Sequence, residues 1–177
     1  MTQKRPELSD YAAPLERYVA LVPSGDFLPF LEGQAPELVG RLAPLSEEQA
    51  EYRYAPGKWT IKEVIGHLSD AERILAYRLL RIARSDQTPL ASFEENAYVQ
   101  SGNFIARHLA DLLGEWSSVR AATLTLVGSL DDASWRRRGV ASQKEISALA
   151  LAFIIGGHVR HHQLILEERY LVGLRRG

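Results

Sequence analysis

Apolar residues recur at helical spacing along four stretches of the chain, and polar or proline-containing segments separate these stretches. Spacings of three and four residues place apolar side chains on one face of a helix, as packing into a bundle requires. The four predicted helices span residues 26–43, 60–84, 103–130 and 142–170. Because no segment sustains the alternation that is typical of a strand, the pattern predicts an all-α protein with a four-helix bundle fold.

Local signals indicate where these helices begin and end. Thr60 followed by Glu63 predicts a capping box at the start of the second helix. Ser142 followed by Glu145 predicts a capping box at the start of the fourth helix. Gly173 is interpreted as the stop signal of the fourth helix. The remaining segments are predicted to be connections: a short turn at 46–49, a loop over 85–101 and a single helical turn over 131–135.

The composition is that of an ordinary globular protein, with 46% hydrophobic and 24% charged residues among 177. A net charge of -1 gives no broad basic surface for nucleic acid. The longest apolar run, 148–155, is far shorter than the roughly 20 residues of a membrane span, and the N-terminus shows no signal-peptide pattern. We expect one cytoplasmic domain over 1–177, without nucleic-acid or membrane partners. It would comprise an N-terminal extension (1–24) and a helical bundle (25–172).

The chain contains no cysteine. A metal site in this protein must therefore use His, Asp, Glu or water, and a cysteine nucleophile is excluded. Chemistry at a thiol would require that a substrate supply the thiol.

Three of the five histidines, His158, His161 and His162, fall within five residues of the fourth helix. Residues four apart lie one above the other on a helix, so His158 and His162 could ligate the same ion. Both share the apolar face with Leu151 and Ile155, whereas His161 lies about 100° away, at the edge of that face.

A third ligand is available from the second helix. His67 lies about seven residues after its start, and His162 lies about eight residues before the predicted end of the fourth helix. If the two helices are antiparallel, both histidines lie about 11 Å from the same end of the bundle. Three imidazoles that leave one position for water or substrate are typical of catalytic zinc sites. The sequence thus predicts a metal site at His67, His158 and His162, whereas His108 has no partner at a matching spacing.

Four polar residues are candidates for the surroundings of this site. Glu63 and Asp70 flank His67 by about one turn and could orient it through a hydrogen bond, although the capping box is the alternative role for Glu63. His161 would lie at the pocket edge. Arg78, further along the same helix, could meet an anionic substrate or could lie on the solvated surface with its stem packed on the bundle.

Two motifs resemble those of the DinB/YfiT-like family. Residues 56–68, Pro-Gly-Lys-Trp-Thr-Ile-Lys-Glu-Val-Ile-Gly-His-Leu, are similar to its second-helix motif, and residues 157–162, Gly-His-Val-Arg-His-His, to its fourth-helix motif. The resemblance covers nearly the whole chain and implies a four-helix bundle with a long cross-connection, often assembled as a homodimer. It also implies a divalent metal held by one histidine of the second helix and two of the fourth, which are His67, His158 and His162 here.

The same resemblance suggests the class of chemistry. Characterised members include transferases and isomerases that depend on bacillithiol, mycothiol or similar low-molecular-weight thiols. A metal ion lowers the pKa of bound water to roughly 7 and deprotonates a bound thiol, whose ordinary pKa is about 8.5. We therefore expect a divalent-metal-dependent transferase that uses a small thiol, with zinc or nickel bound and iron or copper as the other choices. A metal-dependent hydrolase and a non-catalytic metal-binding bundle are the alternatives.

Overall fold

The computed structural model describes residues 4–174, which form a bundle of four long helices with short elements between them. Its helices and strands are α1 (Glu16–Val19), α2 (Phe27–Leu42), α3 (Glu47–Ala50), α4 (Ile61–Ala83), α5 (Glu95–Ser101), α6 (Leu109–Gly128), α7 (Asp132–Trp135), β1 (Arg138–Ala141), β2 (Lys144–Ser147), α8 (Ala148–Ile165) and α9 (Val172–Leu174). In the bundle, α4 and α2 each pack against both α6 and α8. The predicted all-α, four-helix fold is confirmed. Within the described residues, no helix combines the length and apolar character that a membrane crossing requires.

The helix that carries His67 begins where its capping box predicts. The Thr60 hydroxyl accepts a hydrogen bond from the Glu63 backbone N–H at 3.1 Å, and the Glu63 carboxylate accepts one from the Thr60 N–H at 2.7 Å. These two bonds satisfy donors that the first turn of a helix would otherwise leave unpaired. One face of α4 is buried, and His67 lies on it with 2% of its surface exposed.

The connector before the fourth helix contains a β-hairpin instead of the predicted helix start. β1 and β2 pair antiparallel, and Ser142 and Gln143 in the turn between them both have positive φ, 51° and 64°. Positive φ at both central positions is typical of the type I′ hairpin turn, whose twist matches that of the strands. The capping box predicted at Ser142 and Glu145 is therefore wrong.

The true start of α8 lies six residues later than predicted, at Ala148. The Ser147 hydroxyl caps it by accepting a hydrogen bond from the Ala150 backbone N–H at 3.1 Å. At the other end the backbone stays helical through a π-helical turn, Leu166–Leu171, and through α9. Gly173 therefore lies within helical backbone, and its interpretation as a stop signal is wrong. A Cβ at this position would lie 2.3 Å from the Tyr52 hydroxyl, so close packing explains the glycine.

The cross-connection between α4 and α6 is more structured than the predicted loop. It contains α5, which the sequence pattern missed, and a 3-10 turn, Phe104–Ala106. Asn103 lies in the left-handed region with φ 49°, so the backbone breaks there and α6 begins at Leu109 rather than at 103. The Phe104 ring of this connection packs onto α4 at Gly66, where a Cβ would lie 2.3 Å from the ring.

A buried polar network joins all four bundle helices. Arg120 on α6 has 0% of its surface exposed, and its guanidinium donates two hydrogen bonds, both 2.7 Å, to the carboxylate of Glu72 on α4. It also donates to the Leu31 carbonyl at 3.1 Å and to Gln34 Oε1 at 2.6 Å, both on α2. The Gln34 amide in turn donates to the carbonyl of Gly156 on α8 at 2.8 Å. A charge at this depth is tolerated because a paired carboxylate and further hydrogen bonds replace its water.

The segment before α2 packs against α8. Val19 and Val22 are fully buried, and Arg5 donates hydrogen bonds to both of their carbonyls, at 2.8 and 2.5 Å. The Tyr18 backbone passes so close to Gly157 that a Cβ there would lie 1.9 Å from the Tyr18 carbonyl oxygen. This approach requires a glycine on α8, one residue before His158.

We predict that Glu72→Ala destabilises the protein by about 3–5 kcal/mol, because it leaves the Arg120 charge buried without its partner. The measurement is the free energy of unfolding in urea. Glu37→Ala is the matched control, since it removes a surface pair with Arg41 (3.0 Å) that contributes at most about 1 kcal/mol. Equal losses in the two variants would contradict a role of the buried pair in stability.

We predict that Gly157→Ala destabilises the fold by about 1–3 kcal/mol, the usual cost of overpacking, because the new methyl group displaces the Tyr18 backbone. Gly114→Ala on α6 is the control: no atom lies within 4 Å of its added Cβ, so it should gain about 0.5–1 kcal/mol. Urea unfolding of both variants tests this, and equal stability of the two would refute the close approach.

Candidate metal centre

The structure brings His67, His158 and His162 together between α4 and α8. One ligand nitrogen from each lies within 4.8 Å of the other two, and the Nε2 atoms of His67 and His158 are 3.1 Å apart. The three ring centroids lie 4.7–5.0 Å from one another. Within residues 4–174, no other group of three or more His, Asp or Glu side chains meets at this spacing.

The donor set fits a divalent ion of borderline character. Zinc binds imidazole nitrogen at about 2.0–2.1 Å, so two nitrogens on one tetrahedral ion lie about 3.4 Å apart. The Nε2 atoms of His67 and His158, 3.1 Å apart, are close to this separation, and the three ligand nitrogens all lie within 4.8 Å of one another. Imidazole nitrogens are accepted by zinc, nickel, copper and iron alike, so the ligands do not select one metal.

Burial holds the three imidazoles in the neutral form that binds metals. It lowers the pKa of His67 to about 4. It also lowers the pKa of His158 and of His162 well below the ordinary value, and neighbouring histidines lower both further. At neutral pH these nitrogens therefore do not have to lose a proton before they coordinate an ion.

Two aromatic side chains enclose the cluster. Trp59 lies 4.8 Å from the His67 ring and stacks at 6.4 Å over the His162 ring. Tyr18 packs edge-on against His158 at 5.3 Å and against His161 at 5.6 Å. Tyr18 was missed as a site residue because it lies in the predicted N-terminal extension, where the helical pattern is weak.

One side of the cluster opens onto a cavity of about 220 Å³. His162 is the one histidine of the cluster in its wall, and Trp59, Tyr54 and Tyr170 are among the other lining residues. The Tyr170 hydroxyl donates a hydrogen bond to the Trp59 carbonyl at 2.7 Å, which holds the loop before α4 against the end of the fourth helix. A small molecule can therefore approach the cluster from the His162 side.

Neither acidic candidate is hydrogen-bonded to His67. The Glu63 carboxylate binds the Thr60 N–H and pairs with Arg53 at 3.0 Å, which is its alternative, capping role. Asp70 pairs with Arg73 at 3.5 Å, and burial raises the pKa of this carboxyl.

The other two candidates lie at different distances from the cluster. The His161 ring is half-buried and 5.2 Å from the His162 ring, at the edge of the cluster, and burial lowers its pKa. Arg78 is about 16 Å from His67 along α4, since each residue advances a helix by about 1.5 Å. It lines a separate cavity.

The fold of this chain is similar to those of other solved structures. No curated protein matches the chain. Among solved structures, the chain is similar to YfiT from Bacillus subtilis, described as a probable metal-dependent hydrolase with an unusual four-helix bundle topology. The TM-score is 0.74 at 17% identity, over 98% of this chain and 93% of YfiT. It is also similar to a mycothiol-dependent maleylpyruvate isomerase, with a TM-score of 0.64 at 13% identity, over 89% of this chain but only 62% of the isomerase.

These structural likenesses support the fold, and the family follows from the sequence itself. The model of the DinB superfamily matches residues 31–166. This range takes in the bundle from within α2 to the end of α8, and it contains all three clustered histidines. The chain belongs to the DinB superfamily.

Proposed function

We propose that this protein is a divalent-metal-dependent enzyme that transfers a low-molecular-weight thiol to an electrophile. The observation that carries the proposal is the cluster of three neutral imidazoles in contact with a cavity through His162. A site that served stability alone would have no need of such an opening. The cavity therefore favours catalysis over a purely structural role.

The roles of the chain's own residues follow from their positions. His67, His158 and His162 would hold the ion, and the aromatic walls of Trp59 and Tyr18 keep water from its buried sides. A divalent ion bound there supplies a Lewis acid that lowers the pKa of water or of a thiol into the neutral range.

The absence of a neighbouring base favours a thiol over water as the nucleophile. Among the described residues, no carboxylate is hydrogen-bonded to any of the three histidines, since Glu63 and Asp70 have other partners. Hydrolysis at metal centres commonly uses a carboxylate as general base. A thiol, with an ordinary pKa of about 8.5, needs no such base once it is coordinated. The chain has no cysteine, so the thiol must be a substrate.

A metal-dependent hydrolase is the second candidate. It is favoured by the likeness to YfiT, which is described as a probable metal-dependent hydrolase. The mycothiol dependence of the similar isomerase supports the thiol instead. Assembly as a homodimer stays a prediction from the family resemblance.

We predict that His67→Ala, His158→Ala and His162→Ala each weaken zinc and nickel binding beyond the roughly 10–100-fold that loss of an outer partner of a ligand costs. The measurement is a titration of untagged, chelator-treated protein with each ion, followed by elemental analysis. His108→Ala is the matched control because His108 is exposed and, among residues 4–174, forms an ion pair with Glu47 alone, at 3.8 Å. If the triple variant retains as much metal as the wild type, the site assignment is wrong.

We predict that metal-loaded protein consumes a small thiol in the presence of 1-chloro-2,4-dinitrobenzene. In this reaction a C–S bond forms, chloride leaves and the thiol proton passes to solvent. The assay follows the aryl thioether with mycothiol, bacillithiol, glutathione or cysteine, and compares it with hydrolysis of 4-nitrophenyl acetate. Turnover of a thiol that is lost in His162→Ala supports the transferase. Ester hydrolysis without thiol turnover would contradict the transferase and support the hydrolase.

A further inference from the structure

A second cavity, of about 290 Å³, lies between α4, α8, the hairpin and the N-terminal segment. It shares no lining residue with the cavity at His162. Its volume is at the small end of the roughly 300–1,000 Å³ that is usual for ligand pockets. Most of its wall is aliphatic and comes from each of these elements: Leu15, Leu75, Ile146, Leu151 and Ile154.

Arg78 is the buried charge in this wall, with 8% of its surface exposed. Its Nη2 donates hydrogen bonds to the Ala91 carbonyl at 2.5 Å and to the Ser142 hydroxyl at 3.1 Å. The guanidinium also lies 5.8 Å from the Phe93 ring. Within residues 4–174, no Asp or Glu lies within ion-pair distance of it. Every polar partner of Arg78 in the described chain is therefore uncharged.

The contrast with Arg120 shows what is missing around Arg78. Both guanidinium groups are buried on bundle helices, but Arg120 is neutralised by the two-bond contact with Glu72. An arginine keeps its proton even when it is buried, although burial lowers the pKa of Arg78. A buried charge without a counter-charge is costly. Both bonds use one nitrogen, Nη2, so Nε and Nη1 remain as charged donors, each of which can donate a hydrogen bond to one oxygen of a carboxylate.

The remaining charges at the cavity do not supply this counter-charge. Lys144 and Glu145 also line it, but both side chains are exposed on β2. Glu145 lies 3.7 Å from Arg138 on the neighbouring strand. The two exposed charges cancel at the cavity edge, so the uncompensated charge of the cavity is that of Arg78.

We propose that this cavity binds a small molecule with an aliphatic body and one carboxylate, the carboxylate lying on Arg78 and the body among the leucine and isoleucine side chains. The ligand class is that of a short fatty acid or a similar apolar monocarboxylate. The site is separate from the histidine cluster and does not depend on the proposed function.

The test is a calorimetric titration of the full-length protein with octanoate and with 1-octanol, before and after removal of metal by a chelator. We expect octanoate to bind at least tenfold more tightly than 1-octanol, because hydrogen bonds to charged groups commonly contribute this factor or more. Binding should be unchanged after chelation. Loss of octanoate binding on chelation would place the carboxylate on the metal and overturn the proposal.

Three variants locate the site. Arg78→Met should weaken octanoate binding at least tenfold and leave 1-octanol binding unchanged. Arg81→Met is the control on the same helix, because Arg81 pairs with Asp86 and Tyr77 outside the cavity. Leu75→Phe retains the charge but fills the cavity, so it should weaken both ligands at least tenfold.

If Arg78→Met does not fold, Leu75→Phe still tests the location of the binding site. Unchanged octanoate binding in Leu75→Phe would show that octanoate does not bind in this cavity and would overturn the proposal. Equal binding of octanoate and 1-octanol to the wild type would overturn it too, as would the absence of binding at millimolar octanoate.

Discussion

The buried contact between Arg120 and Glu72 is the interaction on which the arrangement of this bundle depends. Apolar faces alone allow helices to slide and rotate against one another, because hydrophobic contact has no direction. Hydrogen bonds from Arg120 and Gln34 connect α6 to α4, α2 and α8, and a shift of any helix would leave a buried polar group unpaired. The last link ends on the Gly156 carbonyl, two residues before His158. The network thus fixes the level at which the histidine cluster forms.

The parts of the fold that depend on local signals could be predicted from the sequence. Helical spacing located all four long helices, and the capping box located the start of α4, because both act within a few residues. The hairpin could not be recognised, since Ser142 to Glu145 satisfies the capping pattern while Ser142 and Gln143 adopt positive φ without being glycine. Gly173 matches the pattern of a helix stop signal, whereas a glycine is needed there because of the close contact with Tyr52, which no local pattern indicates.

The candidate site shows the same division. His158 and His162 could be paired by helical phase and His67 by its depth, and the structure places the three rings together. The residues around the three rings depend on long-range packing. Tyr18 contacts the cluster from the N-terminal segment. The Glu63 carboxylate caps α4 and pairs with Arg53 instead of binding His67. The one local sign of the Tyr18 contact was the glycine at 157, which permits the backbones to approach. The hydrogen-bond partners of Arg78 could not be predicted from the sequence either, because they lie on the cross-connection and the hairpin, far from α4 in the chain.

The residues of the cluster lie far apart along the chain, and this separation affects when the site can assemble during synthesis and folding. His67 and His158 are 91 positions apart, and Tyr18, which encloses the cluster, precedes all three histidines in the chain. During synthesis, the N-terminal segment and α4 leave the ribosome long before α8 exists, so a partial chain that ends before α8 lacks two of the three ligands. Closing such long loops is slow compared with forming local helices. An ion that needs all three histidines can therefore bind only after α4 and α8 have packed together.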